Sequence, residues 1–173
     1  GTLRRQGPVE HEGAAAVDGD RAARSLDRGV LARRTHQQVI GTDLSPEALA
    51  LASENRALIG AQVALVRGSL CQPLGSASLD ALVSNPPYLT AAEYSALDGS
   101  VRYWEPALAL ASGPDGLNAV LGVLDAGRAA MRAGGWLALE IDCARAADCA
   151  WHAGAFGWTD VAIHADLFGR ERY

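Results

Sequence analysis

The 173-residue chain has no lysine. Without lysine there is no phosphate loop of the G-x-x-x-x-G-K type, and no kinase signature is legible either. Cysteine is scarce: Cys71, Cys143 and Cys149 stand far apart and form no C-x-x-C pair. An odd, widely spaced set excludes a disulfide framework and suits a reducing cytosol, so a cytoplasmic location is expected. Cys149 and His152 could share one helix face, but two candidate ligands are too few for a zinc site, and no metal is expected. No apolar stretch approaches the ~20 residues of a membrane span, and no signal peptide is visible. Positive charge is also short. A net charge of −5 argues against a broad electrostatic footprint for nucleic acid. Arginine concentrates in residues 1–38, where seven arginines face five acidic residues, so the remainder carries about −7. The abundance of Ala, Gly and Arg points to a GC-rich coding sequence rather than to a function.

What is present is apolar and ordered. Apolar residues make up 49 % of the chain, enough for a globular core, and the length suits one domain. Residues 1–38 lack a clean period of 2 or 3.6; Ala14–Val17 could end an element, and Leu26–Arg34 could be helical. From Val39 the pattern is regular. Val39–Asp43 reads as a short strand ending in a carboxylate. Ser45 and Pro46 open a helix as cap and first helical residue, and Gly60 stops it. Ala61–Val66 and Leu79–Ser84 read as strands. Thr90–Leu110 is a long irregular connection, which inside a compact domain is usually functional. A helix is expected over Gly116–Arg132, broken by Gly134 and Gly135. A strand is expected over Trp136–Ile141, a helix over 143–155 and a strand over Trp158–His164. Strands alternating with helices imply a parallel α/β sheet, whose ligands sit beyond the carboxyl ends of the strands. Asp43, Asn85 and Glu140 all lie at such ends.

Asn85-Pro86-Pro87-Tyr88 directly follows a strand. Each proline fixes its own φ, removes a backbone donor and pushes the preceding residue out of the helical region. The Asn85 side-chain oxygen and the Pro86 carbonyl could accept the two N–H groups of a planar NH2 group, with Tyr88 stacked on it. A conjugated NH2 is a weak nucleophile, and pinning both N–H groups favours the pyramidal nitrogen that develops during attack. Catalysis would rest on positioning and fixed dipoles. A sulfonium methyl donor suits acidic surroundings. Asp43 could accept ribose hydroxyls or, alternatively, bond the backbone amides around Ser45. No Ser-His-Asp arrangement is present, and His152 and His164 read as structural.

The motifs carry a resemblance. Residues 39–50 (Val-Ile-Gly-Thr-Asp-Leu-Ser-Pro-Glu-Ala-Leu-Ala), 82–89 (Leu-Val-Ser-Asn-Pro-Pro-Tyr-Leu), 104–110 (Trp-Glu-Pro-Ala-Leu-Ala-Leu), 113–117 (Gly-Pro-Asp-Gly-Leu), 134–141 (Gly-Gly-Trp-Leu-Ala-Leu-Glu-Ile) and 166–172 (Asp-Leu-Phe-Gly-Arg-Glu-Arg) stand in the order and spacing of one family. Over residues 39–173 the chain resembles the HemK-type glutamine methyltransferases, within the class I S-adenosylmethionine-dependent methyltransferases. The resemblance implies an α/β, Rossmann-like sheet, mostly parallel with helices on both faces, truncated at both ends. It implies S-adenosyl-L-methionine as cofactor, held by Asp43, Leu44, Ser69, Leu70 and Asn85. It implies a peptide chain release factor as acceptor, whose Gly-Gly-Gln glutamine meets Asn85, Pro86, Pro87, Tyr88, Glu105 and Pro106. Asn85, Pro86 and Tyr88 would carry the catalysis. A monomer without direct nucleic-acid or membrane binding is expected.

The chain departs from the family in four places. The family's glycine-rich loop should stand about 20 residues upstream of Asp43, where this chain has Val17-Asp18-Gly19-Asp20-Arg21-Ala22-Ala23-Arg24. Residues 1–38 are therefore expected to be an atypical or damaged segment in place of the first strand and that loop, and a frameshift upstream of about Gln38 would account for it. Residues 39–173 would form the catalytic domain, its last strand incomplete. Ser69 stands where the family often has an acidic residue beside the adenine. Asp142 replaces a usual glycine. No counterpart of the family's amino-terminal helical domain is legible in these residues. Two alternatives remain open at this stage: methylation of an exocyclic amine in RNA or DNA, which uses the same tetrapeptide, and a non-catalytic remnant of the fold.

Overall fold

The computed structural model describes residues 14–18, 38–104 and 106–173, and it holds a five-stranded, fully parallel sheet. The strands are β1 (Ala14–Asp18), β2 (Gln38–Asp43), β3 (Val63–Arg67), β4 (Leu79–Ser84) and β5 (Met131–Leu139), in the order β3-β2-β1-β4-β5. The order reverses direction at β1, which places a topological switch point between β1 and β4; open sheets of this kind bind ligands there.

The elements form where the local chemistry directs. Helix α1 (Pro46–Ile59) starts with Pro46 in the first turn and with the Ser45 hydroxyl accepting the Ala48 amide. It ends at Gly60, whose left-handed conformation lets its amide reach the Arg56 and Ala57 carbonyls. α1 packs on β2 and β3 around Val39, Ala52 and Val63. Helix α5 (Asn118–Ala130) buries Val120, Val123, Leu124, Gly127 and Ala130 at helical spacing. It packs on β4 and β5 and against helix α6 (Ala146–Ala155). Two clusters result. One joins Leu79 and Leu82 to Val123, Ala130, Met131 and Cys71, and the other joins Leu117, Val120 and Leu124 to Ile141, Ala146, Cys149 and Ala153.

Several sequence expectations are corrected. Ala14–Asp18 is a strand in the middle of the sheet, paired with both β2 and β4, where the first strand was expected to be lost. The possible helix at Leu26–Arg34 lies outside the described residues. Gly134 and Gly135 lie inside β5 rather than before it, because Met131 pairs with Leu79 and Trp136 already pairs with Ala81. The intervening residues bulge, and the regular ladder resumes at Trp136, the expected start of the strand. The Thr90–Leu110 connection contains three short helices, α2 (Ala91–Ala96), α3 (Gly99–Trp104) and α4 (Ala107–Leu110). The expected strand over Trp158–His164 does not form. This stretch and Trp136–Leu139 of β5 line a common cavity together with Tyr173. An isolated antiparallel bridge joins Ala165 and Glu171, and His164 exchanges backbone hydrogen bonds with Tyr173.

Leu82 is 0 % exposed at the centre of the first cluster. Leu82→Ala is expected to cost about 2–5 kcal/mol of folding stability through the cavity it leaves. Urea denaturation of both proteins measures this; a loss below about 1 kcal/mol would show that β4 is not the centre of the core.

Candidate active site

The sheet register builds the site. Thr42, Asp18 and Ser84 are cross-strand partners, and Ser84 also pairs with Leu139. One row therefore crosses β2, β1, β4 and β5, and Asp43, Asn85 and Glu140 each follow it by one residue. Asp43 and Asn85 are two inter-strand steps apart, about 10 Å. The Glu140 amide donates to the Ser84 carbonyl at 2.9 Å, which holds the ends of β4 and β5 together.

Asp43 is a buried carboxylate, 8 % exposed. Its Oδ1 accepts the Ser45 amide at 2.8 Å, so the local bond weighed for it in the sequence is present. The Thr42 hydroxyl donates to the Leu70 carbonyl at 2.9 Å across 28 residues. That bond draws the turn after β3 to the end of β2, so Ser69 and Leu70 share a corner with Asp43 and Leu44. Leu70 takes a left-handed φ of 50°, unfavourable for a branched side chain. Its side chain lies against α5, where a methyl group built on Gly122 would come within 2.8 Å of Leu70 Cδ1. Thr42 was not singled out in the sequence, because nothing local marks its long-range bond.

On the other side of β1, Pro86 is fully buried and Asn85, Pro87 and Tyr88 are half-buried. The peptide bonds are trans. The chain leaving the tetrapeptide is tied down at once. The Leu89 amide donates to the Leu110 carbonyl at 2.9 Å, and the Ser112 amide donates to the Leu89 carbonyl at 2.7 Å. Pro106 caps α4 on the connected segment, exposed, with its carbonyl accepting the Ala109 amide. Glu105 lies outside the described residues.

Two arginines missed in the sequence border the tetrapeptide. Arg172 hydrogen-bonds the Tyr88 side chain and lies near Glu140 and Asp166. Burial works against the charge of this guanidinium, but Tyr88 and the two carboxylates outweigh it and raise its pKa. The Ile141 amide donates to the Arg172 carbonyl at 2.9 Å, so the same residue is anchored to the end of β5. Arg145 bonds both oxygens of Glu93, at 2.9 and 2.7 Å. This pairing, helped by the Thr90 amide, holds the Glu93 carboxyl down at about 2. Cys149 behaves oppositely, its thiol pushed up to about 11 mainly by burial, as a packed core cysteine. Among the described residues no three His, Cys, Asp or Glu side chains stand close enough to hold a metal ion, and no helix is long and apolar enough to cross a membrane.

Comparison with known proteins agrees with this geometry. Residues 26–99 match the "Methyltransferase small domain" family model. A methyltransferase from Pyrococcus furiosus superposes with a TM-score of 0.66 at 16 % identity, covering 91 % of this chain and 71 % of that one. A ribosomal protein L11 methylase from Lactobacillus delbrueckii superposes with a TM-score of 0.61 at 18 % identity, covering 90 % and 66 %. The sheet is the class I S-adenosylmethionine-dependent methyltransferase fold. Sequence narrows the class. A release factor glutamine methyltransferase from Deinococcus radiodurans is 42 % identical over 149 residues, 86 % of this chain and 52 % of that protein. One from Geobacter sulfurreducens is 39 % identical over 137 residues, 79 % of this chain and 48 % of that protein. The chain is a relative of the release factor glutamine methyltransferases, the HemK-type family, and spans about half the length of these relatives.

The lowered carboxyl of Glu93 gives a pH test. A depressed folded-state pKa contributes stability that is fully present above the unfolded value of about 4.3 and is lost as pH falls through the folded value. The Glu93 side chain is 44 % exposed, so solvent screening reduces the contribution to about 1 kcal/mol. Glu93→Gln is expected to lose this at pH 7, and the gap from the native chain should narrow between pH 4.5 and pH 2. Denaturant unfolding across that range checks it; a pH-independent gap would mean that Glu93 acts only through packing.

Proposed function

We propose that the chain is the catalytic portion of an enzyme that transfers a methyl group from S-adenosylmethionine to the side-chain amide nitrogen of a glutamine in a peptide chain release factor, presented on its Gly-Gly-Gln loop. The observation that carries this reading is the position of Asn85-Pro86-Pro87-Tyr88, one residue beyond the β4 ladder and beside the β1–β4 switch point.

The described residues suit the cofactor. Asp43 offers a buried carboxylate for ribose hydroxyls, and Leu44, Ser69 and Leu70 form the neighbouring corner for a base. S-adenosylmethionine supplies, when bound, an electrophilic methyl carbon on a cationic sulfur. The protein's part is to orient the acceptor. The Asn85 side-chain oxygen and the Pro86 carbonyl accept the two amide N–H groups. Pro86 is buried, its ring fixes φ and the following Pro87 confines its ψ, so its carbonyl is preorganised before the reaction. Tyr88, hydrogen-bonded by Arg172, supplies a flat surface for the carboxamide. Pro87 and Pro106 shape the rest of the pocket. In the transfer the acceptor nitrogen would take up the methyl carbon and give up one of the two protons that the Asn85 oxygen and the Pro86 carbonyl hold. That proton is acidic only after alkylation, so no strong base is needed beforehand. The expected setting is cytoplasmic, with the enzyme acting as a monomer.

Incubation with radiolabelled donor and a release factor tests the reading. Label should enter the intact factor and not a variant whose Gly-Gly-Gln glutamine is alanine. Label entering RNA instead would overturn the proposal in favour of exocyclic-amine methylation. Calorimetry with S-adenosylhomocysteine should give micromolar affinity; no binding would identify a remnant of the fold without its chemistry.

A further inference from the structure

We propose that Arg145 is a positioning residue that fixes the acceptor side of the site by joining three separate stretches of chain at a single guanidinium. This inference deepens the function proposed above and rests on it.

Arg145 ends a short 3-10 turn, Cys143–Arg145, after β5, and its side chain is 12 % exposed. The whole donor face of the guanidinium is used. Nη2 bonds both carboxylate oxygens of Glu93 on α2. Nη1 pairs with Asp142 in its own turn. Nε donates to the Asp115 carbonyl at 2.7 Å in the turn before α5. Two of these arms lead to the tetrapeptide. Glu93 also accepts the Thr90 amide at 2.7 Å, while Thr90 Oγ1 accepts the Glu93 amide at 3.1 Å. This reciprocal cap fixes the residue two places after Tyr88. On the second arm, Asp115 precedes Gly116, which is buried and packs against the Tyr88 backbone. A methyl group built on Gly116 would lie 2.4 Å from the Tyr88 carbonyl oxygen and 2.7 Å from Arg145 Nε. Tyr88, Gly116 and Arg145 are thus packed with no spare volume.

Asp142 has its place in this arrangement. Its Oδ1 caps the 3-10 turn by accepting the Ala144 amide at 3.0 Å. Its other oxygen pairs with Arg145. The Asp142 carboxylate supplies both the cap of the turn and a counter-charge that orients the arginine. Only arginine can serve three partners at fixed angles; lysine offers a single point charge on a flexible stem. If Tyr88 and Thr90 are held this way, Arg145 sets the width of the pocket that receives the carboxamide without touching either substrate.

The test compares the native chain with Arg145→Gln and Arg145→Lys. Amide hydrogen exchange in residues 88–97 and 110–117 should accelerate about tenfold in both variants, while β4 stays protected. The KM for the release factor should rise about tenfold, with S-adenosylhomocysteine affinity unchanged. Lysine should fail to rescue, since charge alone does not reproduce the three-armed geometry. Unchanged exchange in these segments overturns the proposal. Faster exchange with an unchanged KM also overturns it, because the arginine would then be a structural brace only. If Arg145→Gln does not fold, Glu93→Gln removes one arm and carries the same comparison. A native chain that transfers no methyl group overturns the function proposed above; accelerated exchange in the variants would then leave Arg145 as a brace of these segments and not as a positioning residue.

Discussion

The register of the parallel sheet is the constraint on which the site depends. Thr42, Asp18, Ser84 and Leu139 lie in one row, and the residues that follow them emerge together at one edge. A slip of one residue in β4 would turn Asn85 to the other face of the sheet and bury a different set of side chains. Burial resists such a slip, because Leu79 and Leu82 are wholly enclosed and Ser84 is nearly so. The hydrophobic core therefore does more than stabilise the fold. It fixes, to a residue, where the polar group of the tetrapeptide appears.

The loops beyond that edge are held by a second set of interactions. These are polar, long-range and placed at the rim. Thr42 draws the turn after β3 against β2, Arg172 bonds Tyr88, and Arg145 joins the segments after β4, before α5 and after β5. The corner formed by Asp43, Leu44, Ser69 and Leu70 and the segment of the tetrapeptide are thus supported separately, with β1 between them. Such a division suits a transfer between two bound molecules, since each can be oriented by its own wall.

Much of this was legible in the sequence, and the reasons are local. Ser45, Pro46 and Gly60 mark both ends of α1 through capping chemistry that acts within a few residues. Leu79–Ser84 matches β4 residue for residue because an apolar run followed by Asn-Pro-Pro leaves little choice. What escaped notice is non-local. Arg145 and Glu93 are 52 residues apart, and no periodicity links them. The start of β5 was misplaced because Met131 joins the ladder before a bulge that two glycines make look like a break. Trp158–His164 has the composition of a strand, but a strand also needs a neighbour to bond, and composition does not report that. Ala14–Asp18 shows the reverse: a short, weakly patterned stretch becomes a central strand because β2 and β4 flank it.

The central claim is that Asn85, held one residue past β4, orients the acceptor nitrogen toward the methyl carbon. A single-turnover measurement of methyl transfer by Asn85→Ala, made with donor and release factor both saturating, addresses it most directly. The account predicts a fall of about 10²–10³ in the transfer rate while S-adenosylhomocysteine still binds. A rate equal to that of the native chain would contradict it.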